Sequence, residues 1–423
     1  MYATIYDAVK DLFGVEIIHL KLLQSFGFFV AISFLLCAFT FAKELERKSN
    51  QGLLPVKTRK DQVGVAATQG ELIGQFIIGF LLGWKLVGSF TDYTKFSADP
   101  RGWILSGQGS ILWGIIVGAA FTGFLYWRSK GKKEEKPREI DIKVTAADHV
   151  GTMTLIAAAF GFLGAKVFHI LENFGSFLED PSEMLFSFSG LTMYGGLIMG
   201  SAAVLYYAHK QKFNILHVMD ACAPGLFLAY GVGRLGCQVA GDGDWGIVNT
   251  APKPGWLSWA PDWLWSYDYP NNVNGTVIPN DLDPKYQSPE WTMKLMFGSD
   301  PDHIKLVEPV FPTPLYESIM CIGLFFIFWA LRKRFVTPGF MFACYMIFNG
   351  IERFTIELIR VNTTLFTIGG FRVTQAEFIA FSLVTVGAAF AVWTKKRKQS
   401  PPASPSDPSS DAHTETATDT ATT

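Results

Sequence analysis

The sequence predicts an all-α polytopic membrane protein of about nine transmembrane helices, with the N-terminus outside and the C-terminus cytoplasmic. Three observations predict it. Of 423 residues, 49% are hydrophobic and only 17% charged, whereas an ordinary soluble domain carries about 25% charged residues. The apolar residues come in long blocks, each close to the roughly 20 residues that a helix needs to cross a hydrocarbon core about 30 Å thick. The basic residues crowd into alternate loops.

Taken in order, residues 22–42, 103–127 and 184–208 contain no Asp, Glu, Lys or Arg. Residues 72–90 hold only Lys85, 150–171 only Lys166, and 221–240 only Arg234. Residues 314–331 hold only Glu317, near the start, and 373–394 only Glu377. Residues 336–351 are apolar and run on into a charged stretch. Loops 43–61, 128–143, 209–212, 332–334 and 395–398 carry 22 of the 36 Lys and Arg. The intervening loops 91–102, 173–183, 241–312 and 361–372 are sparse in them. The positive-inside rule then sets the orientation, and a missed span would invert the charge pattern.

The first apolar block lacks a basic n-region and a small-residue cleavage site, so it reads as an uncleaved span rather than a signal peptide. Residues 1–398 form the expected membrane-embedded domain. Within it, 72–127 read as an inserted helix pair: Gly79–Val87 and Gly161–Val167 echo each other, each an apolar run with small residues and then a Lys. Residues 241–312 form a periplasmic loop or cap rich in Trp and Tyr, including Trp245, Trp256, Trp259, Trp263, Trp265, Tyr267 and Tyr269. Such residues rest at the headgroup level as an aromatic belt or build a cap that receives substrate. Residues 399–423 are Pro, Ser, Thr, Asp and Ala, cannot bury a core, and are expected to be a disordered cytoplasmic tail.

A net charge of −1 disfavours a nucleic-acid partner. Five cysteines are too few for a disulfide framework, and no Cys-x-x-Cys or Cys/His cluster suggests a metal. No cofactor is implied.

Ionisable residues inside spans are costly and point to function. Arg234 sits in the glycine-rich run Tyr230–Gly246, where backbone or lipid can approach closely. A guanidinium forks onto phosphate oxygens in bidentate fashion; snorkelling to the headgroups is the bland alternative. Arg353, Glu357 and Arg360 are spaced i, i+4, i+7 and would share one helix face. Glu357 would neutralise and orient one arginine and leave the other for an anion; a structural ion-pair ladder is the rival reading. Tyr194-Gly195-Gly196 offers a phenol with room beside it, or simply a helix contact. Tyr316 and Glu317 open the span at 314–331, facing a cavity or capping the helix.

Together these stretches resemble the prolipoprotein diacylglyceryl transferase family. The segment Gly233–Gly246 is similar to that family's Gly-Arg-x-Gly-Asn…Gly-Glu-x-Trp-Gly signature. Tyr194–Ile198 looks like its His-Gly-Gly-Leu-Ile motif, and Phe311–Glu317 its His-Pro-x-x-Leu-Tyr-Glu motif. Arg353, Glu357 and Arg360 match its Arg-x-x-x-Glu-x-x-Arg. Gln24-Ser25-Phe26-Gly27 resembles His-Ser-Tyr-Gly, and Gly164-Ala165-Lys166 resembles Gly-Ala-Arg. The likeness covers spans one and four to nine in fixed order. It departs at Tyr194 for the motif His, Cys237 for the signature Asn, Phe26 for Tyr and Lys166 for Arg. One extra residue leaves either Asp242 or Asp244 to fill the acidic position.

The resemblance implies transfer of a diacylglyceryl group from phosphatidylglycerol to the lipobox cysteine thiol of a preprolipoprotein. A thioether forms and glycerol phosphate leaves, the first step of bacterial lipoprotein maturation in the cytoplasmic (inner) membrane. Partners would be phosphatidylglycerol, the signal peptide with its lipobox cysteine, and membrane lipids. The expected catalytic residues are Arg353, Glu357, Tyr194, Asp242 and Asp244. Arg234, Arg360, Gly195, Gly196 and Tyr316 would hold the lipid phosphate and headgroup. A phenol with an ordinary pKa near 10 is a donor rather than a base, so Asp242 or Asp244 takes the thiol proton, with His169 as a substitute. Cys237 reads as packing, since the acceptor thiol belongs to the substrate. Two rival classes are an anion-coupled secondary transporter and a non-catalytic lipid-binding protein. A transporter would place its charges at the midplane; retained diacylglyceryl transfer would exclude the non-catalytic reading.

Overall fold

The computed structural model describes residues 1–63, 67–92, 95–96, 103, 107–130, 138–186, 192–273, 306, 308–361, 364–368 and 371–397. The expected tail 399–423, part of the loop 241–312, and Gly190 and Leu191 lie outside the described residues.

A short helix α1 (Ile5–Phe13) opens the chain behind a Thr4 capping box. The long α2 (Ser25–Asn50) follows. Strand β1 (Lys57–Val63) leads to α3 (Gln69–Thr91), which includes a π-helical stretch at Leu82–Val87, and to α4 (Ile111–Lys130). Strand β2 (Arg138–Val144) returns the chain to α5 (Val150–Glu172). Next come the short α6 (Phe174–Glu179) and α7 (Pro181–Phe186), then α8 (Met193–Lys210) and α9 (Ile215–Ala240). The loop after α9 leads to α10 (Thr313–Leu331) and α11 (Phe340–Glu357). A ribbon of β3 (Thr364–Ile368) and β4 (Phe371–Thr374) precedes α12 (Gln375–Lys396).

Among the described residues, seven helices are long and apolar enough to cross a membrane: α2, α3, α4, α5, α9, α10 and α12. The other two expected spans correspond to α8 and α11, each 18 residues long. Glu352, Arg353 and Glu357 lower the hydropathy of α11. The expected span 184–208 is not one helix, because the extended Thr192 precedes α8, which starts at Met193; residues 187–191 lie outside the described residues. The expected span 103–127 likewise becomes a continuous helix only from Ile111.

Two antiparallel ribbons qualify the all-α expectation. β1 pairs with β2 in one unbroken register, from Lys57 opposite Val144 to Val63 opposite Arg138. The strand Arg138–Val144 alternates Ile140, Ile142 and Val144 with charged residues, the period of a strand rather than a helix. The ribbon brackets α3 and α4, whose main packing is against each other. Their glycines allow close approach: a Cβ on Gly83 would lie 2.2 Å from the Trp113 carbonyl oxygen.

α9 is the centre of the bundle and packs on α2, α10 and α11. More of its apolar length is buried than that of any other candidate span. Small residues make this possible. Gly225 lies against Thr40 and Cys37 of α2, Gly236 against Phe26 and Phe29, and Gly231 against Ser318 and Ile322 of α10. α5 pairs with α8, and α11 with α12.

A buried polar clamp joins the start of α9 to the end of α2 and the starts and ends of its neighbours. Asp220 accepts from the backbone N–H groups of Gly339 (2.7 Å) and Phe342 (3.0 Å) at the start of α11. Lys48 lies 4.0 Å from Asp220 and 3.5 Å from His217 Nδ1. Glu44 pairs with Arg47 and, at 3.4 Å, with Arg332 after α10. Removing one member of a buried ion pair typically costs about 3–5 kcal/mol, because it strands the other. Asp220→Ala is therefore expected to destabilise the detergent-solubilised protein by about 3 kcal/mol, read as a lowered thermal midpoint. Asp220→Asn, which keeps a backbone acceptor, should lose less; equal midpoints for all three proteins would refute the clamp.

Candidate active site

The site lies at the opposite end of α9, where that helix gives way to the loop. Gly241 (φ 65°) caps the helix in the left-handed region and donates to the Cys237 carbonyl at 2.9 Å. A Cβ there would meet Asn272 Cβ at 2.9 Å. Gly243 (φ 99°) turns the chain again. These two left-handed residues fold Asp242 and Asp244 back towards Arg234. Thr313 Oγ1 of α10 fixes the turn by donating to the Asp244 carbonyl at 2.9 Å.

Glu317 of α10 is the hub. Its carboxylate is wholly buried. Oε2 pairs with Arg234 Nε and accepts from the Tyr230 hydroxyl at 2.8 Å. Oε1 lies 3.4 Å from Arg353 and 3.3 Å from Arg360. Asp244 bridges Arg234 and Arg360, one oxygen to each. Glu357 lies 3.1 Å from Arg353 and accepts from Thr374 Oγ1 at 2.6 Å. The Arg234 guanidinium also stands over the Tyr230 ring, 5.3 Å from its centroid.

The structure thus brings together Arg234, Arg353, Arg360, Asp244 and Glu357 of the expected residues. It corrects two expectations about them. Arg360 is not on the helix face shared by Arg353 and Glu357, because α11 ends at Glu357. A backbone bridge to Gly246 carries Arg360 in, supported by the Ile247 N–H donating to the Ile359 carbonyl at 2.9 Å. Nor does Glu357 leave Arg360 for an anion, since Asp244 and Glu317 already hold it.

The remaining residues lie elsewhere. Tyr194 is in the first turn of α8, and no hydrogen bond or ion pair joins it to the arginine cluster. Gly195 and Gly196 serve the α5–α8 contact: added Cβ atoms would meet Phe168 Cβ at 2.4 Å and the Gly161 carbonyl at 2.9 Å. The space that these glycines open is filled by α5. Lys166 lies on the same contact, next to Gly164 and Ala165. His169 pairs with Asn173 one turn on. Tyr316 donates to the Leu264 carbonyl at 2.7 Å, tying α10 to the loop. It also lines an apolar groove of about 330 Å³ between α10 and α11, with Ile319, Met320, Thr355, Ile356 and Ile359.

The two aspartates differ in environment. Burial alone would raise the Asp244 carboxyl, but Arg234 and Arg360 outweigh it and hold it below the usual carboxylate range. Burial pushes Asp242 up, and the Asp244 charge adds to this. Cys237, Asp242 and Asp244 place one donor atom each within 4.8 Å of one another, a spacing that could hold a metal ion. Both Asp244 oxygens are already engaged by arginines, which makes it a poor ligand.

Glu317 was the residue that sequence reasoning passed over in favour of Tyr316. Its signal was present: it is the only charge in its apolar block, and an intramembrane carboxylate calls for a cationic partner. Tyr230, one turn before Arg234, carried no such signal.

This geometry coincides with a family match. The profile of the prolipoprotein diacylglyceryl transferase family matches residues 104–393. The chain belongs to that family. A Leptospira interrogans protein named phosphatidylglycerol–prolipoprotein diacylglyceryl transferase is 26% identical over 255 residues, covering 54% of this chain and 67% of that relative. Its namesake in Streptococcus uberis is 26% identical over 271 residues (63% and 86%). That of Streptococcus pyogenes is 24% identical over 265 (62% and 84%). Every arginine of the cluster lies within the stretch that the transferase family profile matches.

The opposite shifts of the aspartates give opposite pH signs. A raised folded-state pKa means Asp242 favours the folded state when protonated, so its contribution is lost as pH rises from about 4 through the raised value. Asp244 stabilises above about 4, and that contribution is lost as pH falls through its lowered value. Thermal midpoints measured across acidic to neutral pH should show Asp242→Asn more stable than wild type at neutral pH. Asp244→Asn should be less stable there, with its deficit closing towards low pH. Parallel curves for the three proteins would contradict this.

Proposed function

We propose that this chain transfers the diacylglyceryl group from phosphatidylglycerol to the lipobox cysteine thiol of a preprolipoprotein, releasing glycerol phosphate. The observation that carries the reading is the convergence of Arg234, Arg353 and Arg360 on Glu317 and Asp244 at one end of the bundle. A phosphodiester needs its charge held, and more so as it becomes a leaving group.

In this proposal Arg234 grips the lipid phosphate. Arg353, aligned by Glu357, stabilises the charge that develops as the carbon–oxygen bond breaks, and Arg360 assists from the loop side. Asp242 takes the thiol proton, because Asp244 is committed to two arginines whereas the surroundings of Asp242 favour its protonated form. A base is needed: a free thiol has a pKa of about 8.5, so its thiolate is a minority at neutral pH. Tyr194 is not the base, since it stands in the first turn of α8, apart from the arginine cluster. The groove beside Tyr316 suits an acyl chain.

The topology belongs to the same proposal: nine spans in the bacterial inner membrane, the N-terminus and the Trp-rich loop 241–312 periplasmic, and the tail cytoplasmic. Residues 72–127 would be an inserted pair. The exposed Trp256, Trp259 and Trp263 of the loop suit a headgroup layer, while Trp245 and Tyr269 form its buried core.

The test uses purified protein, phosphatidylglycerol vesicles and a lipobox peptide with a free cysteine, with mass spectrometry to find a diacylglyceryl addition. Arg234→Ala should lower the rate by about 10²–10³-fold, and Arg234→Lys should not restore it, since an ammonium cannot fork onto phosphate. Tyr194→Phe should remain active. No addition by folded wild type with any of several anionic lipids would overturn the assignment.

A further inference from the structure

Glu352 precedes Arg353 on α11 and lies outside the family motif described above. It is only 4% exposed, and among the described residues neither of its carboxylate oxygens has a hydrogen-bond partner. Its electrostatic neighbours come from three helices and the loop. Its charge is coupled to Glu317 and Cys321 of α10, Arg234 and Tyr230 of α9, Arg353 and Tyr345 of its own helix, and Arg360 beyond it. α12, which packs on α11, carries Glu377 in its first turn, where that residue caps the helix through Thr374. The three arginines are already engaged by Glu317, Asp244 and Glu357. A charged Glu352 would thus sit buried beside Glu317 with no donor of its own, an arrangement that a carboxyl escapes by keeping its proton.

We propose that Glu352 is a second acid–base group of this site, a carboxylic acid at the arginine cluster that gives its proton to the departing glycerol phosphate. The inference rests on the transferase reading. In the step, the bond between the diacylglyceryl carbon and the phosphate oxygen breaks, and its electron pair stays on that oxygen. The sulfur pair forms the new carbon–sulfur bond. Glu352 protonates the phosphate oxygen, so the monoester leaves with one negative charge rather than two. The Glu352 carboxylate then faces Arg353 until the proton released by the thiol, passed on from Asp242 through water, restores it. Net, the thiol proton ends on glycerol phosphate, and no outside reactant is consumed.

Two readouts test this on the full chain. Infrared difference spectra across a pH titration should show the carbonyl stretch of a protonated carboxylic acid near neutral pH, and Glu352→Gln should abolish it. Glu352→Gln mimics the neutral acid in shape, so it should fold and melt at or above the wild-type midpoint. It should nonetheless transfer the diacylglyceryl group about 10²-fold more slowly and lose the alkaline fall of the wild-type pH profile. Absence of the band from wild type, its persistence in Glu352→Gln, or an unchanged rate and profile in that variant would each overturn the proposal. Failure of wild type to transfer at all would instead overturn the transferase reading, and this step with it.

Discussion

Three guanidinium groups meet at one end of the helix bundle, and the buried carboxylate of Glu317 makes that possible. Like charges in a poorly screened interior repel strongly. Glu317 answers with one oxygen for Arg234 and the other for Arg353 and Arg360. Asp244 and Glu357 supply the remaining negative charge from the two flanks. The cluster is complete only when α9, α10, α11 and the loop after α9 have all come together. Each arginine has two carboxylate partners, so removing any one carboxylate leaves three buried cations with only two counter-charges, and the site doubles as a requirement on the fold.

That requirement explains the placement of the glycines. Arg234 reaches Glu317 because Gly231, one turn earlier, lets α9 approach Ser318 and Ile322 of α10. Gly236 does the same against Phe26 at the start of α2. At the far end, Asp220 holds the start of α11 and so sets the register of α11 against α9. Two buried polar clamps, one at each end, fix the height at which Arg353 meets Glu317. Preorganised charge of this kind stabilises a developing anion without reorganisation during the reaction.

Much of this was legible in the chain, and the gaps have physical causes. Arg234 announced itself as a lone cation in an apolar block, and its glycine surroundings pointed to close approach. Glu317 was equally lone, but a sequence does not say which partner a charge finds across helices. Periodicity placed Arg360 on the face of Arg353 and Glu357; the helix stops at Glu357, and a bridge to Gly246 does the placing instead. Gly195 and Gly196 show why small residues are ambiguous: room beside a tyrosine and contact with a neighbouring helix look the same in one dimension. The ribbon of β1 and β2 was written in the alternation of Ile140, Ile142 and Val144, but its charged residues read first as an orienting loop.

The pairing also constrains how an anion enters. Among the described residues, each arginine of the cluster already has a carboxylate, so a phosphate would compete with one of them for donors. Glu317 is poorly suited to yield, since it is 0% exposed and holds all three arginines together. Asp244 is the better candidate, with its side chain 36% exposed on a glycine-flanked turn. A phosphodiester in its place could give Arg234 and Arg360 one oxygen each, as Asp244 does, and supply the counter-charge that Asp244 gave those two arginines. The displaced Asp244 would then stand near Asp242 without its arginines. That like charge would raise the proton affinity of Asp242 further, so lipid binding itself would prime the group assigned to take the thiol proton.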